Sequence, residues 1–169
     1  MPAPFVPRRV EDFIFYYYAK LVIAPSSGFR KNYRFIVDTY KRLRLGEIRM
    51  SDYDRELLHL SQQTDSCAYC GKPGSNLLPS EIVPRSMGGP IGIHNLVMAC
   101  PSCHKSKEGR DLVQWWRDVR RQHHDTLPRV PVGLYLKVAF ELHAVNFTLG
   151  EKCADLADLF SLLRSNRQS

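Results

Sequence analysis

A chain of 169 residues suits one domain, or one small motif with helical additions, and its 44% hydrophobic and 24% charged residues are enough for an ordinary packed core. A formal charge of +7 suits a polyanionic partner such as DNA or RNA, although charge alone fits a merely cationic soluble surface equally well. No secretory leader and no membrane partner are expected: prolines and Arg8-Arg9 precede the first apolar run, and that run (residues 13–24) is interrupted by Lys20 and is shorter than the roughly 20 residues a bilayer needs.

In chain order, residues 8–23 are apolar and aromatic and predict a buried helix, broken by Pro25, Ser26, Ser27 and Gly28. Residues 29–45 predict the clearest amphipathic helix. Phe29, Tyr33, Ile36, Val37, Tyr40 and Leu43 recur at helical spacing, and Arg30, Arg34, Lys41 and Arg44 take other faces. Such a stripe is a core face more often than a stacking platform for bases. Gly46 ends this helix, and Ser51 is a candidate N-cap for a short helix reaching about Ser61.

The character then changes. "NLLPSEIV" and "NLVMA" read as short strands, joined by a loop holding Gly88, Gly89, Pro90 and Gly92, and Pro101 opens a helix. After Gly109, residues 110–124, 132–147 and 151–164 predict three more helices, with Pro128 and Pro131 separating the first two. The expected class is α+β: a central ββα unit flanked by N- and C-terminal helices, divided as 1–66, 67–110 and 111–169.

Four of the five cysteines form two CxxC pairs, Cys67/Cys70 and Cys100/Cys103, which bracket the strands and the helix entry. Thiolates bind zinc tetrahedrally, two such turns close a structural site, and the metal supplies folding free energy that a small ββα unit lacks. Without a leader, paired CxxC motifs favour zinc over disulfides and a reducing, cytoplasmic location. Cys153 stands alone and reads as a small buried residue.

"IVP" (residues 82–84), Gly88-Gly89, "HNLVMAC" (94–100), "CHKSK" (103–107) and the upstream "CAYC" together resemble the HNH nucleases, a ββα-metal family. The resemblance implies a DNA endonuclease with structural zinc on Cys67, Cys70, Cys100 and Cys103, and a catalytic Mg2+ or Mn2+. It implies that Asn95 braces the loop and that His104 binds the catalytic metal. The family's acidic ligand and general-base histidine fall on Ser80 and Glu81. Glu81 can serve as the base, or as the anionic metal ligand beside His104 with the base elsewhere; His94 lies near in sequence but reads as a surface residue. Alternatively the unit binds nucleic acid or protein without cutting. Arg85, Lys105, Lys107 and Arg110 cluster with the motif and are the expected phosphate contacts.

Overall fold

The computed structural model describes residues 3–63 and 65–167; residues 1–2, 64 and 168–169 of the expected regions lie outside this description. Helix α1 (Val10–Tyr18) continues through a π-helical segment (Ala19–Ile23) into a last turn (Ala24–Ser26). Then come α2 (Tyr33–Arg44), α3 (Asp54–Ser61), β1 (Leu78–Glu81), β2 (Leu96–Ala99), α4 (Pro101–Lys107), α5 (Leu112–Asp118), α6 (Arg129–Val145) and α7 (Leu159–Arg167). The strands form one antiparallel pair, with Leu78 opposite Ala99 and Glu81 opposite Leu96. The architecture is α+β. No helix among the described residues is long and apolar enough to cross a membrane.

Helix α6 is the axis of the molecule. It packs on α1 and its π-segment, on α3, on α7 and on the Ile93–Asn95 turn that leads into β2. Gly133 lets α3 and the π-segment come close: a Cβ there would sit 3.0 Å from Leu57 and 3.2 Å from Val22. A π-turn leaves backbone carbonyls out of register, and the Arg129 Nε donates to the Val22 carbonyl at 2.8 Å while both Nη atoms hold Glu56. Buried Asp12 joins α1 to α2, accepting from the Tyr40 hydroxyl at 2.8 Å and from Arg44 at 3.2 Å.

Several boundaries move from expectation for tertiary reasons. Helix α2 begins at Tyr33 because the Asn32 side chain caps it, accepting from the Phe35 amide at 3.0 Å; this removes Phe29 from the helix. Helix α5 stops at Asp118 although its apolar pattern runs on. Arg121 takes a positive φ of 56°, and Arg120 turns back over the rings of Trp115 and Trp116. The last helix starts at Leu159 because the preceding chain pairs with the N-terminal segment, the Cys153 amide donating to the Arg8 carbonyl at 2.9 Å. Helix α6 begins before Pro131, which lies in its first turn where a missing amide hydrogen leaves no helical bond unmade.

Two histidines make the fold acid-sensitive. His143 is buried, with Nε2 donating to the Leu159 carbonyl at 2.7 Å and Nδ1 2.7 Å from the Thr148 hydroxyl; burial lowers its proton affinity. His124 is pushed down to about 4, first by burial and then by the Arg117 guanidinium. The unfolded chain therefore binds protons below about 6.5 that the folded chain refuses, so stability is full above that pH and is lost as pH falls toward about 4. For His124 the expected slope is on the order of 1 kcal/mol per pH unit at its steepest. Urea midpoints should fall from pH 7 to pH 5, and His143→Gln should flatten that dependence. An unchanged slope in the variant would rule out the His143 contribution.

Candidate functional site

The strand pair is short, and its face selection follows from alternation. Val97 and Ala99 point inward, and so does Ser80, which is buried beside the Tyr69 phenol. Glu81 alternates to the other face with its side chain 32% exposed, and its Oε1 accepts from the Arg85 Nε at 2.9 Å. Ser80 therefore lies beneath the sheet and does not stand beside the Glu81 carboxylate.

The loop between the strands is held from within by Asn95. Its Oδ1 accepts from the Val83 amide at 2.9 Å, and its Nδ2 donates to the Val83 carbonyl at 2.8 Å and the Pro90 carbonyl at 3.0 Å. The side chain is fully buried and satisfied at both ends, as a buried amide must be. Gly88 turns the chain with φ 92°, while Gly89 lies so close to Val83 that no larger residue fits.

Helix α4 starts at the metal-ligating end of the unit and packs against β1. Pro101 occupies its first turn, and the Cys100 sulfur caps it, accepting from the Cys103 amide at 3.4 Å. His104 follows on this helix, half-buried, and its Nδ1 is buried with no hydrogen-bond partner. A buried unpaired nitrogen costs about 1–3 kcal/mol unless something binds it. Lys105 and Arg110 are exposed, as phosphate contacts require. Lys107 is not. It is fully buried, its Nζ donating to the Glu81 carbonyl at 2.8 Å, and burial draws its ammonium down to about 8 against the pull of Asp111 and Glu81. It holds the backbone of Glu81 and has no exposed charge to offer a phosphate. The pattern "CHKSK" gave no sign of this, because the inward turn of Lys107 depends on where β1 ends.

The four cysteine sulfurs Cys67, Cys70, Cys100 and Cys103 lie within 4.8 Å of one another, and Cys70 and Cys100 are 3.9 Å apart. Tetrahedral zinc–thiolate bonds of about 2.3 Å put sulfurs about 3.8 Å apart, so the cluster matches a zinc tetrathiolate. Burial acts to raise the Cys67 thiol, but the amides of Cys70, Cys100 and Tyr69 overcome it and bring the thiol down to about 7. Burial and the neighbouring sulfurs push Cys103 up. Four crowded sulfurs cannot all ionise unaided, and a divalent cation is the group that lets them. Zinc fits these donors. Arg120, which the sequence did not single out, stacks over Trp115 and Trp116 with its Nη1 3.6 Å from the Cys103 sulfur. It adds positive charge beside the thiolates.

The unit is built into the helical body. Tyr69 packs edge-on to Trp115 at 5.2 Å, and Trp115 Nε1 donates to the Ser106 hydroxyl at 3.0 Å. Asp111 caps α5 and accepts from the Tyr135 hydroxyl of α6 at 2.8 Å.

A second group, His123, His124 and Asp125, also brings its donor atoms within 4.8 Å. Arginine only donates, so Arg117, 2.8 Å from His124 Nδ1, fixes that nitrogen as the acceptor and puts the proton on Nε2, which faces Tyr17. Lys20 holds Asp125 at 2.9 Å. Both ring nitrogens are engaged and two cations flank the group, so it is a clamp between α1, α5 and the following turn, and a poor cation site.

A ββα unit clamped by four cysteines, with a buried histidine nitrogen on its helix, defines a metal-binding module. Residues 67–110, about a quarter of the chain, match the HNH endonuclease family model. The match points to a nuclease or nucleic-acid-binding role and to metal binding. Comparison with curated proteins and with solved structures found no match.

Proposed function

We propose that the chain is a metal-dependent endonuclease of the HNH type acting on DNA, with structural zinc on Cys67, Cys70, Cys100 and Cys103. In this reading His104 and Glu81 bind the catalytic Mg2+ or Mn2+, and Asn95 and Lys107 position them. The observation that carries it is the buried, unpartnered Nδ1 of His104 on a helix packed against β1, the strand that ends at Glu81. When bound, the divalent ion supplies charge to stabilise the leaving oxygen.

The residues divide the remaining work. His104 gives a nitrogen donor. Glu81 gives the negative charge that a hard cation prefers and that buried Ser80 lacks. Asn95 fixes the loop through the Val83 backbone, and Lys107 fixes the Glu81 carbonyl. Arg85, Lys105 and Arg110 present exposed charge for the phosphate backbone.

A second reading, nucleic-acid binding without hydrolysis, is favoured by the Arg85–Glu81 ion pair, which already occupies the carboxylate. A plasmid-nicking assay with Mg2+ or Mn2+ separates the two. Wild type should nick, while Glu81→Gln and His104→Ala should fall to the metal-free background with zinc content intact. Glu81→His should also lose activity, because the anionic ligand is gone. Activity retained or raised in Glu81→His would instead make Glu81 the base, since histidine is the better proton acceptor near neutral pH. Wild type indistinguishable from Glu81→Gln would leave the binding reading.

A further inference from the structure

Phe29 and Tyr33, the first two members of the aromatic stripe, lie outside the core that takes Ile36, Tyr40 and Leu43. Phe29 is 45% exposed and Tyr33 46%. Phe29 stacks on Phe35 with ring centres 4.6 Å apart and planes 23° apart, and the Tyr33 hydroxyl accepts from the Phe5 amide, so both rings are held in place. Arg30, Lys31 and Arg34 are interleaved with them and are exposed. Among the described residues, neither Arg30 nor Lys31 is paired with a carboxylate. Both also line a cleft of about 370 Å3 against the π-segment, together with Lys20, Arg129 and a single acid, Asp125.

We infer that the segment 29–34, which leads into α2, is a docking platform for unpaired nucleic-acid bases, outside the HNH unit. Two independent features point to this partner. Held, exposed aromatic rings stack on bases, and only unpaired bases offer a free face, since those of a duplex are already stacked on one another. Unpaired cations beside the rings match the phosphates that join such bases. A protein partner would make use of the rings but has no need of the three interleaved cations. The inference rests on the reading of the chain as nucleic-acid-directed and narrows it, naming a substrate with a single-stranded stretch.

The test is fluorescence anisotropy of the zinc-loaded full chain with a labelled poly-dT strand of about 15 nucleotides, within the range of known single-strand sites, and with a duplex of the same length. Phe29→Leu keeps apolar bulk and removes the ring. It should weaken strand binding about 5- to 100-fold and leave duplex binding unchanged. Tyr33→Phe should bind as wild type. Arg30→Glu with Lys31→Glu should lower the slope of log affinity against log salt by about 0.7 for each phosphate that is no longer neutralised. Circular dichroism checks that the variants fold. No strand binding by wild type at low salt, or equal strand binding by wild type and Phe29→Leu, would overturn the platform. Plasmid nicking is scored separately. Nicking that survives in Phe29→Leu with strand binding unchanged overturns only the platform. Strand binding that depends on Phe29, in a protein that does not nick, supports the platform while the nuclease reading fails.

Discussion

Removing the metal should unfold the ββα unit and loosen the helices that rest on it. Structural zinc in small units contributes on the order of 10 kcal/mol of folding free energy. Between Cys67 and Lys107 this unit has two four-residue strands, two three-residue 3-10 turns and one seven-residue helix. Its few buried apolar side chains, Ile82, Val83, Val97 and Ala99 among them, cannot replace the metal. Cys67→Ser and Cys103→Ser, at buried positions, should be more damaging than Cys70→Ser at the surface. The readout is built in: Trp115 packs against Tyr69 on the cysteine turn, so stripping the metal with a chelator should shift tryptophan emission to the red. Arg120→Met should keep the fold and release zinc to a chelator faster, with affinity lower by about 10- to 100-fold, because a cation beside the thiolates is gone. Purified protein without zinc, with emission unmoved by chelator, would dismiss the structural metal.

Gly89→Ala should be strongly destabilising. A Cβ at Gly89 would lie 1.8 Å from the Val83 carbonyl oxygen and 2.9 Å from the Asn95 Nδ2. The obstacle is backbone, which cannot rotate away, so the loop must separate from Val83 and the Asn95 bonds must break. Two or three buried hydrogen bonds and the strain of the shift amount to about 3 kcal/mol. Glu81 precedes Val83 by two residues, so its position should shift too and DNA nicking should fall with stability. Gly109→Ala, where nothing lies within 4 Å and φ is ordinary, is the control and should be near neutral. Equal denaturation midpoints for the two variants would contradict the close approach.

The sequence by itself determined the ββα order and the two cysteine pairs, because those depend on local spacing: each CxxC turn brings its own two sulfurs together, and Pro101 starts a helix from its own φ; the strand pairing then brings one pair to the other. It also determined Asn95 as the brace, through the resemblance of "HNLVMAC". What it left undecided depended on which surfaces meet. Lys107 looks like any solvent-facing lysine until β1 supplies the Glu81 carbonyl above it. Arg120 looks like surface charge until the end of α5 turns it over two tryptophans and against Cys103. The aromatic stripe has one period in sequence, yet the Asn32 cap puts Phe29 outside the helix, and Tyr33, in the first turn, stays half-exposed while Ile36, Tyr40 and Leu43 enter the core. Periodicity reports that a face is apolar, and only the packing of α2 on α1 and its π-segment decides how far along that face the core extends.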